Sequence, residues 1–88
     1  MVINYMEEVV SRYLKKILQD EDYVSICKCE SCLDDIMAKA LNNLKPFYIT
    51  TKKGEVFAEY SSLENQHQAE VVAEVVKALE FVSKNPNH

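Results

Sequence analysis

Three cysteines within six positions are the feature that most restricts what this chain can fold into. They lie in the motif Cys27-Lys28-Cys29-Glu30-Ser31-Cys32 and are the only cysteines among 88 residues. A disulfide framework would spread an even number of cysteines along the chain. Thiolates this close together can instead converge on one Zn²⁺ at about 2.3 Å each. We therefore predict that Cys27, Cys29 and Cys32 bind zinc.

The motif supplies three ligands and leaves the fourth open, because no second cysteine pair follows it. A tetrahedral site would be completed by one further group. The candidates are a water, a group from another protomer, His67, His88, Asp34 and Asp35. We expect a structural site, since no obvious acid or base accompanies the cysteines. The alternative is that Cys32 is a small core residue and the other two are ordinary reduced thiols.

Length and charge limit the class of protein. Eighty-eight residues suit one domain, 1–88, with one modest core. A net charge of −4 and a pI of about 5.1 argue against a duplex-DNA surface, which needs a basic face. We expect no membrane insertion, because no apolar run approaches the roughly 20 residues of a spanning helix. Two early glutamates and the lack of an apolar segment argue against a signal peptide. Clustered reduced thiols fit a cytoplasmic protein.

Apolar residues at spacings of three and four predict a mostly helical domain. The predicted helices cover about residues 5–19, Cys32–Leu44 and Ser62–Lys84. Each begins beside a possible capping pair: Asn4 with Glu7, Ser31 with Asp34, and Ser61 with Glu64. Pro46 is expected to end the second helix. The fold class is therefore a three-helix domain with short β structure between the second and third helices.

That β structure is predicted as a hairpin. Its strands would be the β-branched and aromatic stretches Phe47–Thr51 and Val56-Phe57, with Lys52-Lys53-Gly54 as the turn. The third helix is apolar on more than one face, since Val71, Val75 and Val82 lie beside Val72 and Val76. A stripe this wide predicts a homodimer through the third helix.

Read as a whole, the chain resembles the ComFB family of small bacterial proteins, named for late competence development. The matching stretches are Asn4-x-Met6-Glu7, Cys27-x-Cys29-x2-Cys32, Asp35-Ile36, Ala40-Leu41-Asn42-x-Leu44-x-Pro46-x-Tyr48, Lys53-Gly54-Glu55 and Asn85-Pro86-x-His88. The resemblance implies a mostly helical, non-enzymatic homodimer with zinc at the cysteines. It also implies a link to DNA uptake and, in some relatives, a role as a receptor for cyclic dinucleotide messengers.

A cyclic dinucleotide pocket would need a cation, an aromatic face and a reader of the base edge. Lys45 and Tyr48 are predicted to provide the first two, and Arg12 to read guanine. Asp35 and Asn42 come from the family motif and are expected to shape the pocket. Family members often carry Pro-Pro-Arg-Tyr where this chain has Lys45-Pro46-Phe47-Tyr48. We therefore expect weaker binding or a changed purine preference.

Two functions follow as hypotheses. In the first, the protein is a zinc-binding dimer that binds cyclic di-GMP or cyclic di-AMP and relays that signal to an unknown protein partner. In the second, it is a structural adaptor of the competence machinery, with a structural zinc and no small-molecule ligand. A catalytic role is not expected, because no Ser/His/Asp or Cys/His arrangement is evident.

Overall fold

The computed structural model describes the backbone of residues 2–50 and 53–85 and the side chains of 2–50 and 67–85. Three helices, α1 (Met6–Ile17), α2 (Glu30–Asn42) and α3 (Lys53–Lys84), make up most of the described chain. Two short strands, β1 (Ile3–Asn4) and β2 (Tyr48–Ile49), pair antiparallel. A single 3₁₀ turn, Glu21–Tyr23, lies in the acidic loop between α1 and α2. The mostly helical fold class is confirmed.

One hydrophobic core joins the three helices. α3 packs against both α1 and α2, which also pack against each other. The core side chains are those with periodic spacing in the sequence: Met6, Val9, Val10, Tyr13, Leu14, Cys32, Ile36, Ala40, Leu44, Val71, Val75, Ala78, Leu79 and Val82. Since packing of an amphipathic face supplies most of the stability of a short helix, this core is what holds α1 and α2 in helical form.

The apolar stripe of α3 is covered within one chain over the described side chains, which corrects our argument for a dimer. Val71 and Val75 are buried, and the neighbouring Val72 and Val76 are half-buried. α1 and α2 contact α3 and so cover adjacent faces of it. The width of this stripe therefore gives no evidence for a second copy.

The predicted hairpin is wrong in its second strand. β2 pairs with the N-terminal residues, in the register Ile3 with Ile49 and Asn4 with Tyr48. Val56 and Phe57 belong to α3, whose first residue is Lys53. Too few residues separate Ile49 from Lys53 for a returning strand, and Glu55, Ala58 and Glu59 are strong helix formers. Lys52, in the predicted turn, lies outside the described residues.

The predicted capping pairs also need correction. Ser61 and Glu64 lie inside α3 and so mark no helix start. The N-cap of α1 is Tyr5, although the Asn4 side chain does accept a hydrogen bond from the first helical N–H.

Asn4 connects the start of α1 to the segment after α2. Its Oδ1 accepts hydrogen bonds from the N–H of Met6 at 3.1 Å and from the N–H of Phe47 at 2.9 Å. The N–H of Tyr5 donates to the carbonyl of Phe47 at 2.7 Å. These bonds explain why the N-terminal segment, distant in sequence, is the partner of β2.

We expect Asn4→Ala to lower the free energy of unfolding by about 1–3 kcal/mol, because two backbone donors would lose their shared acceptor. Urea denaturation followed by circular dichroism measures this loss. Asn4→Asp is the matched control, since it retains an acceptor oxygen and should remain close to wild type. Equal losses for both variants would contradict a role for the acceptor.

Candidate metal centre

The three cysteines lie where the acidic loop enters α2. Their sulfur atoms all lie within 4.8 Å of one another. Cys27 and Cys29 are exposed, and Cys32 is buried with only 2 % of its surface accessible. The cluster therefore has two thiols at the surface and one anchored in the core between the helices.

Cys29 itself caps α2, a role that we had predicted for Ser31. The backbone of Cys29 is extended, with φ −68° and ψ 162°, and its Sγ accepts a hydrogen bond from the N–H of Cys32 at 3.4 Å. The helix consequently begins at Glu30, two residues earlier than predicted. Cysteine is not among the preferred N-cap residues, so the Ser31–Asp34 pattern was the stronger signal in the sequence.

This position changes the acidity of the thiols in opposite directions. The N–H of Cys32, followed by the thiol of Cys27, lowers the pKa of Cys29 from its usual value. Burial, followed by the neighbouring thiols, raises the pKa of Cys32 to about 12. A bound cation would reverse the second effect, because metal coordination favours the thiolate. Without a bound cation, the Cys29 thiol is therefore more acidic than the Cys32 thiol.

The donor set and its spacing fit a zinc ion. In a tetrahedral site with Zn–S bonds of about 2.3 Å, sulfur atoms lie roughly 3.8 Å apart. The observed separations, all within 4.8 Å, require adjustments of about 1 Å or less. Among the described residues, no imidazole or carboxylate joins the three sulfurs in one cluster. Cys27, Cys29 and Cys32 are therefore the residues that could hold a metal ion.

The candidate fourth ligands of the metal lie in different parts of the structure. The Nδ1 of His67 lies 3.4 Å from Glu70, and both side chains are exposed on α3. Asp34 and Asp35 line a shallow depression beside Cys29, with Glu30 and Ser31. His88 lies outside the described residues.

The five residues predicted to bind a nucleotide do not form one site. Asp35 and Asn42 line a groove between α2 and the end of α3, which we call the α2–α3 groove. Lys45 lines a separate cavity near Pro46 and His67. Tyr48 is 66 % exposed on β2, and Arg12 is exposed on α1. The α2–α3 groove is lined by Asp35, Lys39, Asn42, Asn43, Phe81, Val82 and Asn85.

Sequence reasoning missed the aromatic residue of this groove. Phe81 is 52 % exposed, and the Nζ of Lys39 lies 4.2 Å from the centroid of its ring. The amides of Asn43 and Asn85 donate to the carbonyls of Lys39 and Phe81, both at 3.0 Å. The available signal was that Phe81 falls off the buried stripe of α3, where a large aromatic side chain has no packing reason to be.

No helix in the described part of the chain is both long enough and apolar enough to cross a membrane.

Comparisons with known proteins agree with the fold and identify the family. The solved structure of the late competence protein ComFB from Bacillus subtilis superposes with a TM-score of 0.78 and 24 % sequence identity, over 99 % of this chain and 96 % of that one. The curated competence protein ComFB from Bacillus subtilis (strain 168) is 24 % identical over 87 residues, which are 99 % of this chain and 87 % of that protein. The family model for late competence development protein ComFB matches residues 3–86. The chain therefore belongs to the ComFB family.

Proposed function

We propose that this protein holds a structural zinc ion at Cys27, Cys29 and Cys32. The observation that supports this most directly is the convergence of three sulfurs within 4.8 Å at the start of α2. The ion would link the loop after α1 to the first turn of α2, where Cys32 is buried in the core. A structural role is consistent with the donor set, because among the described residues no imidazole or carboxylate lies in one cluster with the three sulfurs. We assign the protein no catalytic activity.

The fourth ligand is proposed to be a water or a group from a second protomer. Metal analysis of protein purified without chelator should give about one zinc per chain, as expected for one site. X-ray absorption at the zinc edge should show three sulfur neighbours and one lighter atom. Protein that carries only trace metal after purification in zinc-supplemented medium would contradict the proposal.

A second proposed function is that of a cyclic dinucleotide receptor, and the α2–α3 groove is what favours it. Phe81 offers an exposed ring for base stacking, and Lys39 beside it offers a cation for a phosphate. Asp35 can accept hydrogen bonds from a guanine edge, and Asn42 can both donate and accept. This groove supplies each kind of group that the ligand requires, and it contains three residues of the family motifs, Asp35, Asn42 and Asn85.

The receptor is proposed to act as a homodimer. A cyclic di-purine ligand is itself two-fold symmetric and suits an isologous pair of protomers. Arg12, Lys45 and Tyr48 lie outside the α2–α3 groove within one chain, so their proposed part in binding would have to come from a second copy. Reduced thiols fit a cytoplasmic receptor that passes its state to a protein partner.

Calorimetry with cyclic di-GMP, cyclic di-AMP and the linear dinucleotides tests this function. We expect about one ligand per dimer and a loss of about 1–3 kcal/mol of binding free energy in Phe81→Ala, because a stacked base would lose its platform. Phe81→Tyr is the matched control, since it retains the ring. Arg12→Ala and Tyr48→Ala test the contribution of a second protomer. The absence of heat with both cyclic ligands at tens of micromolar would rule the receptor out.

The absence of cyclic dinucleotide binding would favour the alternative function, a structural adaptor of the competence machinery with a zinc ion and no small-molecule ligand. The family assignment supports a role of this kind. Several apolar side chains are also available for a protein partner, since Val2 and Val24 are 67 % and 69 % exposed.

A further inference from the structure

Cys29 and Cys32 have the geometry of a dithiol redox pair. They are separated by two residues and lie at the N-cap and in the first turn of α2. The N–H of Cys32 points at the sulfur of Cys29, at 3.4 Å. In disulfide oxidoreductases the Cys-x-x-Cys pair occupies the start of a helix in the same way.

The exposure of the two sulfurs gives each a different part in an exchange reaction. Cys29 is exposed, so a small disulfide in solution can reach it, whereas Cys32 is 2 % exposed and is shielded from such a reagent. Yet the sulfur of Cys32 lies within 4.8 Å of that of Cys29. Rotation of the two side chains and a small backbone adjustment can bring them to the bond length of about 2.05 Å.

We propose that Cys29 and Cys32 form a reversible intramolecular disulfide by exchange with low-molecular-weight disulfides. The thiolate of Cys29 attacks one sulfur of oxidised glutathione, forms a mixed disulfide and releases one glutathione thiolate. The thiol of Cys32 then gives up its proton as its sulfur attacks that of Cys29, and the second glutathione leaves as a thiolate that takes up this proton. Two protein thiols are oxidised, and one glutathione disulfide is reduced to two thiols.

The redox pair shares Cys29 and Cys32 with the proposed zinc site, but the exchange reaction needs no bound metal, and only its effect on zinc binding rests on that proposal. The disulfide would remove two of the three candidate zinc ligands, so oxidation and zinc binding would exclude each other. Disulfide mapping in chelator tests the redox pair alone, and the zinc content of reduced protein tests the metal site alone. Release of zinc on oxidation tests the link between them.

Trypsin separates the possible disulfides cleanly, because Lys28 lies between Cys27 and Cys29. Metal-stripped protein is incubated with oxidised glutathione in chelator, alkylated and digested. We expect peptide 29–39 to be lighter by two hydrogen atoms and peptide 17–28 to carry one alkyl group on Cys27. A cross-link between the two peptides, or alkylation of both cysteines in 29–39, would overturn the proposal.

Two double variants test which cysteine reacts first with oxidised glutathione. In Cys27→Ser/Cys32→Ala, glutathione should remain attached to Cys29, since no thiol is left to displace it. In Cys27→Ser/Cys29→Ala, the buried Cys32 should react more slowly by about an order of magnitude or more. Circular dichroism confirms that both variants are folded. Equal rates for the two would show that Cys29 is not the entry point.

Discussion

Val75→Glu should leave most of the protein unfolded. Val75 is fully buried in the core on α3. A glutamate there would place an unpaired charge among apolar side chains, at a cost of several kcal/mol. Small domains have little stability to lose, about 5 kcal/mol or slightly more. Far-ultraviolet circular dichroism and urea titration would show the loss of helix and of a cooperative transition.

Val76→Glu is the control for this substitution, because it changes the next residue on the same helix. Val76 is half-buried, so its glutamate can reach water, and we expect a loss of about 1 kcal/mol. A Val75→Glu variant as stable as Val76→Glu would mean that α3 does not pack as observed. Sedimentation of Val76→Glu also tests the proposed dimer, since a folded monomer where the wild type is dimeric would place the interface on this face.

The second large effect is expected at the metal centre, where Cys29→Ser should abolish zinc binding. A serine hydroxyl retains the cap of α2, because serine is among the preferred N-cap residues. It does not provide the thiolate that zinc requires. The variant therefore separates the loss of metal from the loss of the helix cap. Zinc content measured by mass spectrometry should fall from about one per chain to near zero.

Thermal unfolding would show whether that zinc is structural. Chelation should lower the melting temperature of the wild-type protein to that of Cys29→Ser, and the variant should not respond to chelator. Ser31→Ala, on an exposed residue of the same turn, should keep both its zinc and its response to chelator. A wild-type protein that loses its zinc without a change in melting temperature would exclude a structural role.

The α1 and α2 helices and the cysteine cluster could be predicted because each depends on nearby residues. The spacing of Val9, Val10 and Leu14 favours burial of one helical face whatever the rest of the chain does. Three thiols within six residues lie within about 17 Å of one another even in an extended chain, and a local turn is enough to bring them together. The sequence therefore predicted both the core face of α1 and the convergence of sulfurs that the structure shows.

Other features depended on contacts between residues distant in the chain. The sequence of β2 is compatible with any neighbouring strand. The N-terminal segment is favoured as its partner because the side-chain oxygen of Asn4 accepts a hydrogen bond from the N–H of Phe47, 43 residues along the chain. The α2–α3 groove exists because the packing of two helices brings Lys39 to the ring of Phe81. Local sequence alone thus determined the helical faces and the thiol cluster. Only tertiary packing decided which strands pair and which exposed side chains share a groove, because those energies arise between segments that the sequence does not place side by side.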